Sequence, residues 1–304
     1  MQRANSPSNP YNTRLMKFLP ARIDVERRAD GTLVLRSPEP LKPYRRCLGD
    51  YLEEWAERTP DHPFLAQRSG ADWRKLTYGE ARRRVRQIAA ALLKRGLTTE
   101  TPVAILSDNS IEHALLTLAA MHVGIPAAPL SPSYSLASKD HAKLKSIFEL
   151  VQPRLVFADN ADKFAAAFDA LRGFEFETVT NLDTLNEKED AAVERAFAAV
   201  TPDTIGKLLL TSGSTGHPKA VINTQRMMCS NQASYTQVWP FLLDEPPVLV
   251  EWLPWNHTFG GNNNFNLVLA NGGTFYIDEG KPVDRKSTRL NSSHVSESRM
   301  PSSA

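Results

Sequence analysis

The sequence predicts an α/β fold of layered, largely parallel sheets flanked by helices. Three observations carry that prediction. Short apolar runs alternate with amphipathic stretches from about residue 48 to residue 198. The intervening lengths suit helical crossovers, which parallel strands need and hairpins do not. Glycine, proline and Asp/Asn/Ser clusters punctuate the boundaries where turns and caps require them.

Taken in order, residues 1–20 read as an extended lead, and Val25 to Leu35 as a hairpin turning at Asp30-Gly31. A helix over Leu48–Arg58 precedes strands Phe64–Arg68 and Trp73–Leu76. A helix over Tyr78–Arg95 places Ala81, Val85, Ile88 and Leu92 on one face and stops at Gly96. Its Arg82, Arg83, Arg84 and Arg86 are read mainly as a solvated face, not as phosphate ligands. Val103–Ser107 is a short buried strand, and Asp108-Asn109-Ser110 caps a helix running through His122. Ile111, Leu115, Leu118 and His122 share its inner face, which makes His122 a core-edge histidine. Gly124 closes that helix, and Pro126–Leu130 resumes the extended chain. Helix Lys139–Leu150, strand Arg154–Ala158, helix Ala161–Leu171, strand Phe176–Val179 and helix Glu187–Ala198 continue the alternation.

Composition narrows the partners. A net charge of +2 gives no electrostatic footprint for nucleic acid or an anionic membrane. The start of the chain lacks the apolar core of a signal peptide, and no run approaches membrane-spanning length. Cys47 and Cys229 lack metal-ligand spacing and fit a reducing, cytoplasmic setting. The Asn256-His257-Thr258 sequon is therefore discounted.

Chemistry concentrates in Thr211-Ser212-Gly213-Ser214-Thr215-Gly216-His217-Pro218-Lys219. Gly213 and Gly216 permit the positive φ angles that turn successive N–H groups toward one anion. The hydroxyls of Thr211, Ser212, Ser214 and Thr215 can donate to phosphate oxygens or reach magnesium, and Lys219 adds a mobile positive charge. Pro218 before the lysine excludes the usual GxxxxGK nucleotide loop. Apolar Leu208–Leu210 and Ala220–Ile222 on either side predict strand–loop–strand.

This run resembles the phosphate-loop signature of the adenylate-forming acyl-CoA synthetases, Ser/Thr-Ser/Thr-Gly-Ser/Thr-Thr-Gly-x-Pro-Lys-Gly. Every fixed position matches except the last, where Ala220 stands for glycine. A second segment, Leu253-Pro254-Trp255-Asn256-His257-Thr258-Phe259-Gly260-Gly261, follows the strand-like Val248–Trp252 and resembles the family's next motif. Carried over, His257 borders the acyl pocket beside the carboxylate to be activated. Trp255 and Phe259 are candidates for stacking on an aromatic acid, with a core role as the alternative.

The resemblance covers roughly Val25 to Pro282 and implies ATP, Mg²⁺ and coenzyme A as co-reactants. Within the family, Arg36–Leu41, Val221–Met227 and Trp252–Gly261 look most like the feruloyl-CoA synthase group, which makes CoA thioesters of hydroxycinnamic acids. Two alternatives stay open: a fatty-acyl or amino-acid activating enzyme, and a non-catalytic nucleotide-binding module.

The family's aromatic-Gly-x-Thr-Glu motif, whose Glu binds magnesium, does not appear, nor do its Thr-Gly-Asp motif and C-terminal lysine. The expected organisation is a lead (1–20), a partial N-terminal AMP-binding domain (21–284) and a serine-rich, disordered tail (285–304). That tail resembles translated sequencing adaptor, with a natural disordered terminus as the alternative; the C-terminal domain is expected to be absent. On this reading the chain alone does not complete the reaction. Feruloyl-CoA formation by the 304-residue chain, measured from the absorbance of the thioester, would contradict it.

Overall fold

The alternating runs assemble three sheets in the computed structural model, which describes residues 16–136, 140–212 and 218–278. The phosphate-loop residues Gly213, Ser214, Thr215 and Gly216 lie outside the described residues, as do the first fifteen residues and everything after Asp278.

The first sheet is the expected hairpin. β1 (Asp24–Arg27) and β2 (Leu33–Arg36) pair antiparallel with Val25 opposite Leu35, and Gly31 takes the turn at φ +85°.

A second, four-stranded sheet grows around α1 (Leu48–Arg58), β3 (Pro63–Ser69), β4 (Asp72–Thr77) and α2 (Tyr78–Lys94). Helix α2 starts with a reciprocal cap. Thr77 Oγ1 accepts from the Glu80 amide at 3.2 Å, and the Glu80 carboxylate accepts from the Thr77 amide at 2.9 Å. Ala81, Val85, Ile88 and Leu92 are fully buried on one face, and Gly96, at φ +73°, follows the helix as expected. Of the four arginines, only Arg86 is buried; it pairs with Glu194, with Glu189 at 2.9 Å and with Glu53 at 3.4 Å. Arg82 pairs with Glu53 and Arg84 with Asp183.

The largest sheet follows from β5 (Val103–Ile105), α3 (Ile111–His122), β6 (Ala127–Pro129), α4 (Ser133–Leu136), α5 (Ala142–Val151), β7 (Leu155–Phe157), α6 (Ala165–Ala170), β8 (Glu177–Val179) and α7 (Ala191–Ala199). The hairpin β9 (Ile205–Ser212) and β10 (Pro218–Thr224) completes it. Strand order is β10-β9-β6-β5-β7-β8, parallel throughout except for the antiparallel β9–β10 pair. Then α8 (Gln225–Val238), β11 (Val248–Glu251), α9 (Phe265–Ala270) and β12 (Thr274–Ile277) return the chain to the four-stranded sheet. Its order is β11-β12-β3-β4, parallel except for β3–β4.

Helix α3 departs from its expected one-sided burial. Every residue but Glu112 is buried, because α3 packs on α1 and α2 and also on β9, β6 and β3, which belong to both large sheets. His122 is the expected core-edge histidine. Its ring stacks on Phe197 at 4.0 Å, and burial pushes its pKa down to about 3. The predicted helix over 139–150 begins later, at Ala142, after His141 takes φ +53°. That over 161–171 contracts to Ala165–Ala170. Among the described residues no helix is long and apolar enough to cross a membrane.

Candidate functional site

In open parallel sheets, ligands gather at the carboxyl ends of the strands, where chain reversals leave loops and unpaired backbone groups. Here two such edges face one cleft of about 880 Å³. The six-stranded sheet supplies Ser107 and Asp108 after β5, Ser131 and Pro132 after β6, and Asp159 after β7. The four-stranded sheet supplies Arg68 near the end of β3, Ile277 and Asp278 at the end of β12, and the segment from Trp252 to His257 after β11.

The hairpin behaves as the sequence predicts. Strand β9 runs parallel to β6, so it delivers Thr211 and Ser212 to the same carboxyl edge. Lys219 sits opposite Thr211 across the antiparallel pair, and both residues are exposed. These three are the predicted phosphate-binding residues that fall within the described chain.

The second predicted segment divides between two environments. His257 and Phe259 line the cleft, Phe259 with half its surface open. Trp255 does not reach it. The indole is buried against His113, Phe265 and Phe275, with ring centroids 4.9–5.6 Å apart, so the core alternative holds for Trp255 and its assignment as a substrate wall is corrected. After His257 the chain winds into a π-helical stretch, Phe259–Asn264, that runs into α9; no element is assigned there from the sequence. The tight winding explains the paired glycines. A Cβ on Gly260 would lie 2.7 Å from the Leu253 carbonyl oxygen, and one on Gly261 would overlap that of Trp255.

Two residues that were not predicted for the site hold this segment. Asn109 does not cap α3; Ser110 does, accepting from the His113 amide at 3.0 Å. The Asn109 amide turns instead to the loop, donating to Leu253 O at 2.8 Å and accepting from Trp255 N at 3.0 Å. Lys207, on β9, is 3% exposed and donates to Gly261 O at 2.8 Å. Burial pushes its pKa down to about 7. The signal for Lys207 was available: a charged residue inside the apolar run Ile205–Leu210 has to find a partner if that strand is covered.

Beside Lys207 lies a narrow cavity of about 10 Å³, lined by His113, Thr117, Trp255, Gly261 and Phe265 among others. Burial is the main reason that His113 is pushed down to about 4, and the nearby Lys207 charge acts in the same direction. Across the cleft, burial raises the Asp159 carboxyl, helped by Asp108 and opposed by Lys163, which pairs with Asp108 at 2.7 Å. Among the described residues no group of His, Cys, Asp and Glu is placed to hold a metal ion.

Comparison with known proteins gives the family and agrees with the fold. The model of the AMP-binding enzyme family matches residues 52–293. The chain belongs to the AMP-binding enzyme family. It is 30% identical to phosphinothricin tripeptide synthetase PhsC of Streptomyces viridochromogenes over 60% of its own length and 16% of that protein's. It is 28% identical to 4-coumarate–CoA ligase-like 9 of Arabidopsis thaliana over 65% of its own length and 35% of that protein's. The chain thus spans well under half of either relative. The fold matches that of a fatty acyl-adenylate ligase from L. pneumophila, solved with acyl adenylate and pyrophosphate. The TM-score is 0.64 at 19% identity, over 81% of this chain and 42% of that one.

The His113 environment has a pH consequence. Its folded pKa, about 4, lies below its ordinary value of 6.5, so between these limits the unfolded chain binds the extra proton and the folded chain does not. Stability is therefore whole above pH 6.5 and falls as pH drops toward 4, by about 3 kcal/mol for a shift of this size. Urea unfolding of His113→Gln against wild type should show a shallower loss over that window.

Proposed function

We propose that this chain carries the ATP- and acid-binding residues of an acid–CoA ligase of the feruloyl-CoA synthase type. One observation carries the reading: the cleft at the strand ends is bordered by His257 and Phe259, and Thr211 stands on the same edge, paired with Lys219. On this reading a polyphosphate grip at the β9 end would stand on the same strand edge as a wall for an organic acid.

The chemistry to be managed is the approach of a carboxylate to a polyanion. The acid's oxygen attacks the α-phosphorus of ATP, the bond to the β-phosphate bridge breaks, and pyrophosphate leaves with the electron pair. The thiol of coenzyme A then displaces AMP from the acyl-adenylate, giving the thioester. Lys219 and the hydroxyls beginning at Thr211 are the groups that would neutralise the β- and γ-phosphates. Magnesium, when bound with ATP, supplies further charge neutralisation, and the exposed Thr211 hydroxyl is the kind of oxygen donor it takes. His257 would border the reacting carboxylate, and Phe259 presents an open ring to a planar acid.

The hydroxycinnamate preference draws support from the motif text around Val221–Met227 and Trp252–Gly261 and from the likeness to the 4-coumarate–CoA ligase-like protein. A second reading, amino-acid activation, draws support from the likeness to PhsC.

Calorimetric binding of non-hydrolysable acyl-adenylate analogues to the 304-residue chain separates the two. The hydroxycinnamoyl analogue should bind about tenfold or more tighter than aminoacyl and fatty-acyl analogues, a gap of at least about 1.4 kcal/mol. A tighter aminoacyl analogue would favour the second reading. Lys219→Ala should weaken MgATP binding roughly ten- to hundredfold, as expected when one charge-assisted contact is lost.

A further inference from the structure

Lys207 has no part in the chemistry above, yet it is a lysine buried where stability alone would favour an apolar side chain. Its stem lies on β9, beside Ala127 of β6 and four residues before Thr211. Its head crosses to the other motif. Lys207 Nζ donates to Gly261 O at 2.8 Å, Gly261 N donates to His257 O at 2.9 Å, and His257 N donates to Pro254 O at 3.1 Å. Two consecutive hydrogen bonds therefore run from the strand that carries the predicted phosphate-binding hydroxyls to the backbone of the cleft histidine, and a third continues to Pro254.

The surroundings permit one good bond and little else. Phe265 lies under the ammonium at 5.8 Å. His113 is the titratable side chain that shares the cavity with Lys207, and it is held neutral, so no second positive charge opposes the lysine there. Thr117 Oγ1 and Trp255 Nε1, from the same lining, have no hydrogen-bond partner among the described residues, so this region has not been built for maximal polar satisfaction. The carbonyl of Gly261 is the contact that Lys207 makes.

We propose that Lys207 is a positioning residue that sets the distance between the β9 phosphate edge and the His257 segment by anchoring the first turn of the π-helical stretch. The two halves of the cleft come from different sheets; Asn109 ties the start of the segment across them, and without Lys207 the spacing at its His257 end depends on packing. A hydrogen bond from the buried lysine nitrogen is directional and short, and fixes that spacing more sharply than apolar contact does. The inference rests on the reading of His257 as the acid wall for its functional meaning, but the tie itself is open to a ligand-free test.

That test is hydrogen–deuterium exchange on the 304-residue chain as wild type, Lys207→Met and Lys207→Gln. Methionine keeps the volume and removes the donor; glutamine keeps a neutral donor. Peptides over 257–264 should exchange about tenfold faster in Lys207→Met, while reference peptides over 85–92 of α2 stay unchanged. Lys207→Gln should recover part of the protection. Rates over 257–264 within about twofold of wild type would overturn the proposal, as would a rise shared equally with α2, or a Gln variant as fast as Met. Should Lys207→Met fail to fold, Lys207→Gln against wild type decides it: acceleration confined to 257–264 supports the tie, and uniform or absent acceleration refutes it. No acid or nucleotide is used, so an error in the substrate assignment shows in the binding assay and not here.

Discussion

A backbone segment that enters a protein interior without belonging to a sheet must find partners for its N–H and C=O groups, or lose the free energy of each unpaired group. The segment from Leu253 to Gly261 is such a case, and the way it is satisfied organises the rest of the molecule. At its start, Asn109 offers a carbonyl and an amide to two backbone groups at once, at 3.0 and 2.8 Å. At its end, Lys207 reaches in from β9 of the same six-stranded sheet whose β5 leads to Asn109. Beyond that, Gln232 of α8 donates to Asn262 O at 3.0 Å, and Asn262 donates to Asn223 of β10 at 2.9 Å. Polar side chains from three neighbouring elements thus do what a ladder does for a strand.

The consequence is a cleft whose two walls are made by different sheets yet are held in register. Helix α3 fills the space between them, which is why all of it but Glu112 is buried. Of its two buried histidines, His113 faces the buried lysine and stays neutral, so no imidazolium charge crowds the place where the sheets meet. Small residues make the approach possible: with any side chain at Gly260 or Gly261 the π-helical stretch would collide with the loop that precedes it.

Much of this was legible in the sequence, and the limits have physical causes. Helices with a clear stripe were found with close boundaries, α1 at Leu48–Arg58 and α2 ending at the glycine stop. The β9–β10 hairpin was read from its flanking apolar runs. Helix α8 was missed because amides sit on its inner face: Gln225 and Gln232 are buried beside Met228 and Cys229, so no apolar stripe shows. The π-helical stretch was missed because Gly-Gly-Asn-Asn-Asn reads as a turn by every local rule. In the site, residues whose chemistry is visible in their own motif, Thr211, Lys219 and His257, were named. Asn109 and Lys207 were not, since each acts on a partner more than fifty positions away and local spacing is silent about such pairs. Trp255 misled for the converse reason: an aromatic in a functional motif packs inward as readily as it stacks on a ligand.

The central claim is that Asn109 and Lys207 secure one and the same segment from its two ends. A double-mutant cycle in urea unfolding addresses that directly, with wild type, Asn109→Ala, Lys207→Met and the double variant. If both act on one segment, releasing it once leaves less for the second change to lose, so the double variant should fall short of the summed losses by about 1 kcal/mol. Losses that add to within about 0.5 kcal/mol would mean the two residues act independently, and the account of a segment clamped at both ends would not stand.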